Sequence, residues 1–163
     1  MGMDGIEAVV RGVTTVLQNG LATKLGTLES SLNTLYSDAI KLPAPASDAY
    51  WWFRPDLLPS YPALIILGLP EVPSGLDLSD GYDFDYAVQL DLVVPVDDPL
   101  TAQILAWRYW RAIKELLTPR CIAGGHTELQ AVDWNQPAWT PEGFSGPVKD
   151  IPGLITVQTT ERA

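Results

Sequence analysis

The sequence contains one cysteine, Cys121, and one histidine, His126, among its 163 residues. A lone cysteine excludes an intramolecular disulfide and leaves a cysteine-based zinc site without its partner ligands. Any Ser–His–Asp or Cys–His relay would have to use His126, which follows Gly124-Gly125 and reads as a loop or strand-edge residue. Phosphate-cradling loops are missing as well, with no Gly-x-Gly-x-x-Gly and no Gly-Lys-Ser/Thr. Gly143-Phe144-Ser145-Gly146 lacks the spacing of a nucleophile elbow. No apolar run approaches the roughly 18 residues needed to span a membrane. Residues 1–7 lack the basic segment and continuous apolar core of a signal peptide. A soluble protein is the expectation.

Charge is also scarce. Charged residues make up 18% of the chain, against roughly 25% in an ordinary soluble domain. Hydrophobic residues reach 47%, and mean hydropathy is +0.08. Monomers keep their exposed apolar patches small, so this balance suggests surface covered by other subunits. The net charge is −10, and its distribution is uneven. No Lys or Arg lies between Pro55 and Trp107, while Asp56, Glu71, Asp77, Asp80, Asp83, Asp85, Asp91, Asp97 and Asp98 all fall in or beside that interval. A nucleic-acid binder shows the reverse, a basic stripe that displaces counterions from phosphates. An acidic surface lets DNA pass without holding it.

Against these absences stands a strongly patterned middle. Phe84, Tyr86, Val88, Leu90, Leu92 and Val94 recur at every second position, the period of a strand with one face on a core. Asp98-Pro99 then stops the strand and opens a helix to about Leu117, with Asp98 as N-cap and Pro99 at the first helical position. Leu105, Tyr109, Ala112, Ile113 and Leu116 form its core face, and Arg108, Arg111 and Lys114 follow at steps of three. Their placement towards the C-terminal half complements the helix dipole.

The chain reads as a single domain, 1–163, in three parts. Residues 1–41 hold an N-terminal helix from 4 to about 38, with Val9, Val13, Val16, Leu17, Leu21, Leu25, Leu28, Leu32 and Leu35 on one face. Asp4 and Glu7 have capping-box spacing, and Gly20 marks a bend, a break or a close backbone contact. Residues 42–62 are a Pro-rich connector carrying Tyr50-Trp51-Trp52-Phe53. These aromatics either cap the chain's own core or anchor a subunit interface, where Trp and Tyr are enriched. Residues 63–163 contain a sheet and the second helix, with strands at Ala63–Leu69, Thr127–Trp134 and Leu154–Thr160 and loops at 70–81 and around Trp139.

The carboxylates Asp77, Asp80, Asp83 and Asp85, or Asp97-Asp98, have the ligand chemistry for Mg²⁺ or Ca²⁺. The interval from Asp77 to Asp85 lacks the twelve-residue calcium-loop pattern, and Asp98 has a capping role. A solvated acidic surface is the simpler reading. No cofactor is expected, nor a catalytic or metal site.

The order of elements resembles the tail-terminator proteins of long-tailed bacteriophages, the family of tail-completion and neck-ring proteins. The residues that carry it are the long N-terminal helix, the strand introduced by Tyr61-Pro62-Ala63-Leu64-Ile65-Ile66, and the acidic-flanked strand from Tyr82 to Val96. The helix containing Arg108-Tyr109-Trp110-Arg111-Ala112-Ile113 and the strand from Gly153 to Thr160 complete it.

The resemblance implies an α+β fold, a mostly antiparallel β-sheet with the long N-terminal helix and the second helix packed on it. It implies a non-enzymatic virion protein, present in the host cytoplasm during assembly. Such subunits form a ring, commonly a hexamer, that caps the tail tube, ends its polymerisation and joins the tail to the head. The implied partners are further copies of the chain, the tail tube protein and the head-closure connector, with DNA passing through unbound. On that reading Asp77, Asp80, Asp83 and Asp85 are candidates for an acidic lumen. Trp51, Trp52, Phe53, Arg108, Arg111 and Lys114 are candidates for the subunit interface. The alternatives are a head-closure or neck adaptor and, in a different class, a small metal-dependent nuclease using the Asp cluster.

Overall fold

The computed structural model describes residues 5–69, 72–77, 81–95, 98–118, 121–122, 125–130, 138–139 and 148–162. Side chains are described for 5–69, 85–95, 98–118, 122 and 150–158. The fold is α+β. Helix α1 spans Ile6–Tyr36 and α2 spans Pro99–Leu117. The strands are β1 (Tyr50–Trp51), β2 (Ala63–Gly68), β3 (Val72–Asp77), β4 (Gly81–Pro95), β5 (Cys121–Ile122), β6 (Gly125–Gln130), β7 (Ala138–Trp139) and β8 (Val148–Arg162).

They form one sheet in the order β1-β2-β4-β8-β6-β5, with β3 added to β4 and β7 to β8. Among the described residues only β1 and β2 run parallel; the other pairings are antiparallel. The backbone of the sheet is the β4–β8 pair, in continuous register from Gly81↔Arg162 to Pro95↔Val148.

The period of two in β4 sorts its side chains as the sequence indicates. Tyr86, Val88, Leu90, Leu92 and Val94 are buried under the helices with Leu64, Ile66, Ile151, Ile155 and Val157. From above, α1 contributes Val9, Val13, Leu17, Leu21, Leu25, Leu28 and Leu32, and α2 contributes Leu105, Tyr109, Ala112, Ile113 and Leu116. Each such side chain gains roughly 1.5–3 kcal/mol from burial. The opposite face carries a smaller apolar cluster of Ala49, Leu58, Ala63, Ile65 and Val93, joined by Trp51, Tyr61 and Leu67. The connector therefore covers part of the sheet's second side.

Several expectations change. Helix α1 is unbroken at Gly20, which makes a close contact with α2 instead: a Cβ there would lie 2.8 Å from Leu116 Cδ2. Leu35, in the last turn of α1, leaves the core and is 68% exposed. The N-cap of α1 is Gly5, with no side-chain cap, and Glu7 pairs forward with Arg11 at 2.8 Å. Part of the expected loop at 70–81 is strand β3, which continues the sheet edge beyond β2. β8 begins at Val148, six residues before the expected start. The N-cap of α2 is as expected: Asp98 Oδ2 accepts from Thr101 N–H at 2.7 Å and from its hydroxyl at 2.6 Å. These hydrogen bonds hold the Asp98 carboxyl below its ordinary pKa.

Candidate functional site

The helices pack antiparallel, and polar contacts at both ends of the seam set their register. At one end Lys24 reaches Glu115 at 3.3 Å, and Glu115 also accepts from Arg111 Nε at 2.9 Å. The hydrogen bond from Arg111 and that from Lys24 hold the Glu115 carboxyl below its usual range, against the opposing effect of burial. At the other end Arg108 turns into the seam. It is 5% exposed, and its guanidinium donates to Asp38 Oδ2 at 2.6 Å and to Asn33 Oδ1 at 2.7 Å.

Asn33 also fixes the chain reversal after α1. It exchanges hydrogen bonds with Ile40, donating at 2.9 Å and accepting at 3.2 Å, while Ser37 in the left-handed region closes the helix. Leu42 N–H then donates to Glu29 Oε2 at 2.7 Å, the main cause of that carboxyl's lowered pKa. The Tyr109 hydroxyl donates to the Pro43 carbonyl, and burial pushes its pKa up.

Outside this seam lies an apolar surface that the sequence reading missed. Leu100 is 68% exposed, Trp107 53% and Tyr36 65%. Two hollows of about 480 and 700 Å³ run along the outer side of the helices, and both are lined by Trp107 and Arg111. The signal was present: Leu100, Ile104 and Trp107 recur at steps of four and three, out of phase with the core stripe. Lys114 and Arg111 are both exposed beside it. Lys114 makes no ion pair among the described residues. Of the three cations expected on one helix face, the structure keeps Arg111 and Lys114 at the surface and commits Arg108 to the interior.

The connector aromatics separate into different roles. Trp51 packs into the smaller apolar cluster and meets Phe53 edge-on, with ring centroids 5.6 Å apart. Trp52 lies over the Arg11 guanidinium at 4.7 Å and donates from Nε1 to Thr14 Oγ1 at 2.9 Å. Trp52 remains 45% exposed, Phe53 59% and Leu57 62%, so a second apolar patch forms here. Along α1, Thr14, the partner of Trp52, and Tyr36 are separated by about 33 Å at 1.5 Å per residue, so Trp52 and Tyr36 sit well apart along that helix.

No family model matches the chain and no curated protein is similar to it. Among solved structures the chain is similar to a chain of the virion of a native gene transfer agent particle. The identity is 12%, covering 88% of this chain and 94% of the other, with a TM-score of 0.46.

The sheet face away from the main core holds a charged group with no local sequence signal. Arg54, from the connector, donates to Asp150 Oδ2 and lies 3.5 Å from Asp91 Oδ2. Gln89 Nε2 donates to Asp91 Oδ1 at 2.9 Å. Asp91 and Asp150 are both buried, and Asp150 Oδ1 has no hydrogen-bond partner among the described residues. Burial, reinforced by the neighbouring Asp91 charge, pushes the Asp150 pKa up to about 6 despite Arg54.

Of the acids singled out in sequence, Asp77 lies in β3 and Asp83 and Asp85 in β4, with Asp77 at the last β3–β4 register position opposite Gly81. Asp85 is half-buried, while Asp80 and Asp97 lie outside the described residues. Cys121 and His126 are directly opposed in the β5–β6 register. Ser145 and the rest of its Gly-flanked segment lie outside the described residues. Among the described residues, no three His, Cys, Asp or Glu come together to hold a metal ion, and no helix is long and apolar enough to cross a membrane.

Proposed function

We propose that this chain is a structural virion protein whose copies close into a ring, acting as a tail terminator that caps the tail tube and joins it to the head. Its activity is steric: the ring presents one face that continues the tube and another that does not, and no bond is made or broken. The observation that carries this reading is the pair of exposed apolar patches, Tyr36/Leu100/Trp107 and Trp52/Phe53/Leu57, of which Tyr36 ends α1 and Trp52 meets it at Arg11 and Thr14. One patch supports a pair of subunits, whereas two unlike patches support head-to-tail contacts, the kind that close into rings. The low charge content and the order of elements along the chain support the same reading. The acidic balance suits a channel through which DNA passes without being gripped.

Electron microscopy of particles assembled without this chain tests the role. Tails of irregular length are the expected result. Tails of uniform length overturn the terminator role, and uniform tails beside heads that leak DNA assign the chain to head closure instead.

A further inference from the structure

The seam surface between the helices is basic on a chain that is strongly acidic. Lys24, Arg111 and Lys114 line its 700 Å³ hollow, and Glu115 is the one acid among the lining residues. Trp107 and Trp110 supply the apolar floor. An occupant that matches this chemistry is an acidic segment carrying aromatic or aliphatic side chains. Two seams set face to face would bring like charges together, which disfavours a symmetric contact.

The chain carries a segment of that description. From Glu71 to Asp85 there are five acids and no Lys or Arg, and Tyr82 and Phe84 alternate with Asp83 and Asp85. The structure pairs residues 72–77 with residues 81–85 as a two-stranded ribbon. β3 and β4 pair from Val72↔Asp85 to Asp77↔Gly81, and β8 supports β4 on its other side. The first turn of α1 meets the sheet at Gly68, where a Cβ would lie 2.6 Å from Ile6 Cγ1, and Gly68 pairs with Val88. The ribbon continues seven register positions beyond that pair, to Gly81, about 24 Å at roughly 3.4 Å per residue.

We infer that the acidic β3–β4 ribbon of one copy docks on the Trp107 seam of the next, the negative charge of the one facing the positive charge of Lys114 and Arg111 on the other. The contact is heterologous: each copy offers a ribbon to one neighbour and a seam to the other. This rests on the proposal that copies of the chain associate, and it names the surfaces they use. It also moves Asp77 and Asp83 from the channel wall to the subunit contact, since a ribbon seated on a neighbour does not line a lumen.

The test is photocrosslinking of the purified chain with benzoylphenylalanine in place of Trp107. Labelled and unlabelled copies are mixed, so that contacts between copies give mixed-isotope products. Digestion uses an Asp-specific protease, because no Lys or Arg separates residues 71–85 from Trp107. Mixed-isotope products joining position 107 to residues 71–85 are expected. In sedimentation velocity, Lys114→Glu with Arg111→Glu should weaken self-association at least about tenfold, and adding Asp77→Lys with Asp83→Lys should restore it. Circular dichroism melts check that each variant folds, and Lys114→Ala, at an exposed position, provides a milder second variant. Products joining two seams, an association unmoved by the charge reversals, or a chain that stays monomeric up to its solubility limit would each overturn the inference. Tail length in particles lacking the chain is independent of all these outcomes, so the terminator reading stands or falls separately.

Discussion

Arg108 and Asp38, seventy positions apart, form a 2.6 Å ion pair that fastens the middle of α2 to the chain just past the end of α1. The same guanidinium donates to Asn33, whose side chain shapes the reversal that brings Asp38 into place. The pair therefore joins helix packing to loop conformation.

Removing the guanidinium should be costly. Arg108→Ala removes the ion-pair partner of Asp38, leaves Asn33 Oδ1 with only the Ile40 N–H, and opens a gap in the seam, for a loss of about 2–4 kcal/mol. Arg108→Lys should recover only part of it, because a single ammonium does not reproduce the planar fork that reaches both acceptors. Urea denaturation of the two variants reads both values; equal stability to the parent would remove the structural role assigned here.

The two helix glycines should respond differently to alanine. Nothing lies within 4 Å of a Cβ at Gly26, so Gly26→Ala should stabilise by up to about 1 kcal/mol through helix propensity alone. At Gly20 the new methyl meets the end of Leu116, a flexible side chain that has to shift, so Gly20→Ala should gain less than Gly26→Ala. Gly20→Val should destabilise, since a branched side chain there has no room against α2. Thermal melts of the three variants give the order.

Asp150 makes stability depend on pH in a direction opposite to that of a salt-bridged carboxylate with a lowered pKa. Its pKa is raised to about 6 in the folded chain from an ordinary 3.8, so the folded state holds the proton more tightly than the unfolded state. Its contribution is fully favourable below about pH 4 and is lost as pH rises through 6, by at most about 3 kcal/mol. Asp150→Asn should abolish this part of the profile and be no less stable than the parent at pH 7. Stability curves of both proteins from pH 4 to pH 7 give the difference; parallel curves would show that Asp150 does not titrate in this window.

The parts visible in sequence are those whose signals are local. The alternation of β4, the Asp98-Pro99 helix start and the α1 stripe up to Leu32 each depend on neighbours a few residues away, and all three are present in the structure. β3 was hidden because Val72-Pro73-Ser74-Gly75 has turn composition; pairing with β4 overrides it, with a register shift between Pro73 and Gly75. Arg108 was grouped with Arg111 and Lys114 because they recur at steps of three. Each such step turns about 60° around a helix of 3.6 residues per turn, so Arg108 and Lys114 point about 120° apart. The Arg54 group escaped notice because its partners lie 37 and 96 positions away.

The unbroken register of β4 with β8 has a mechanical consequence. A force that drags the two strands past one another along their length loads all the rungs from Gly81↔Arg162 to Pro95↔Val148 together, whereas a peeling force breaks them one at a time. Tension along that axis is therefore resisted as shear, and an atomic-force experiment pulling at residues 81 and 162 from the same end would unzip the pair at far lower force than one pulling at 95 and 162.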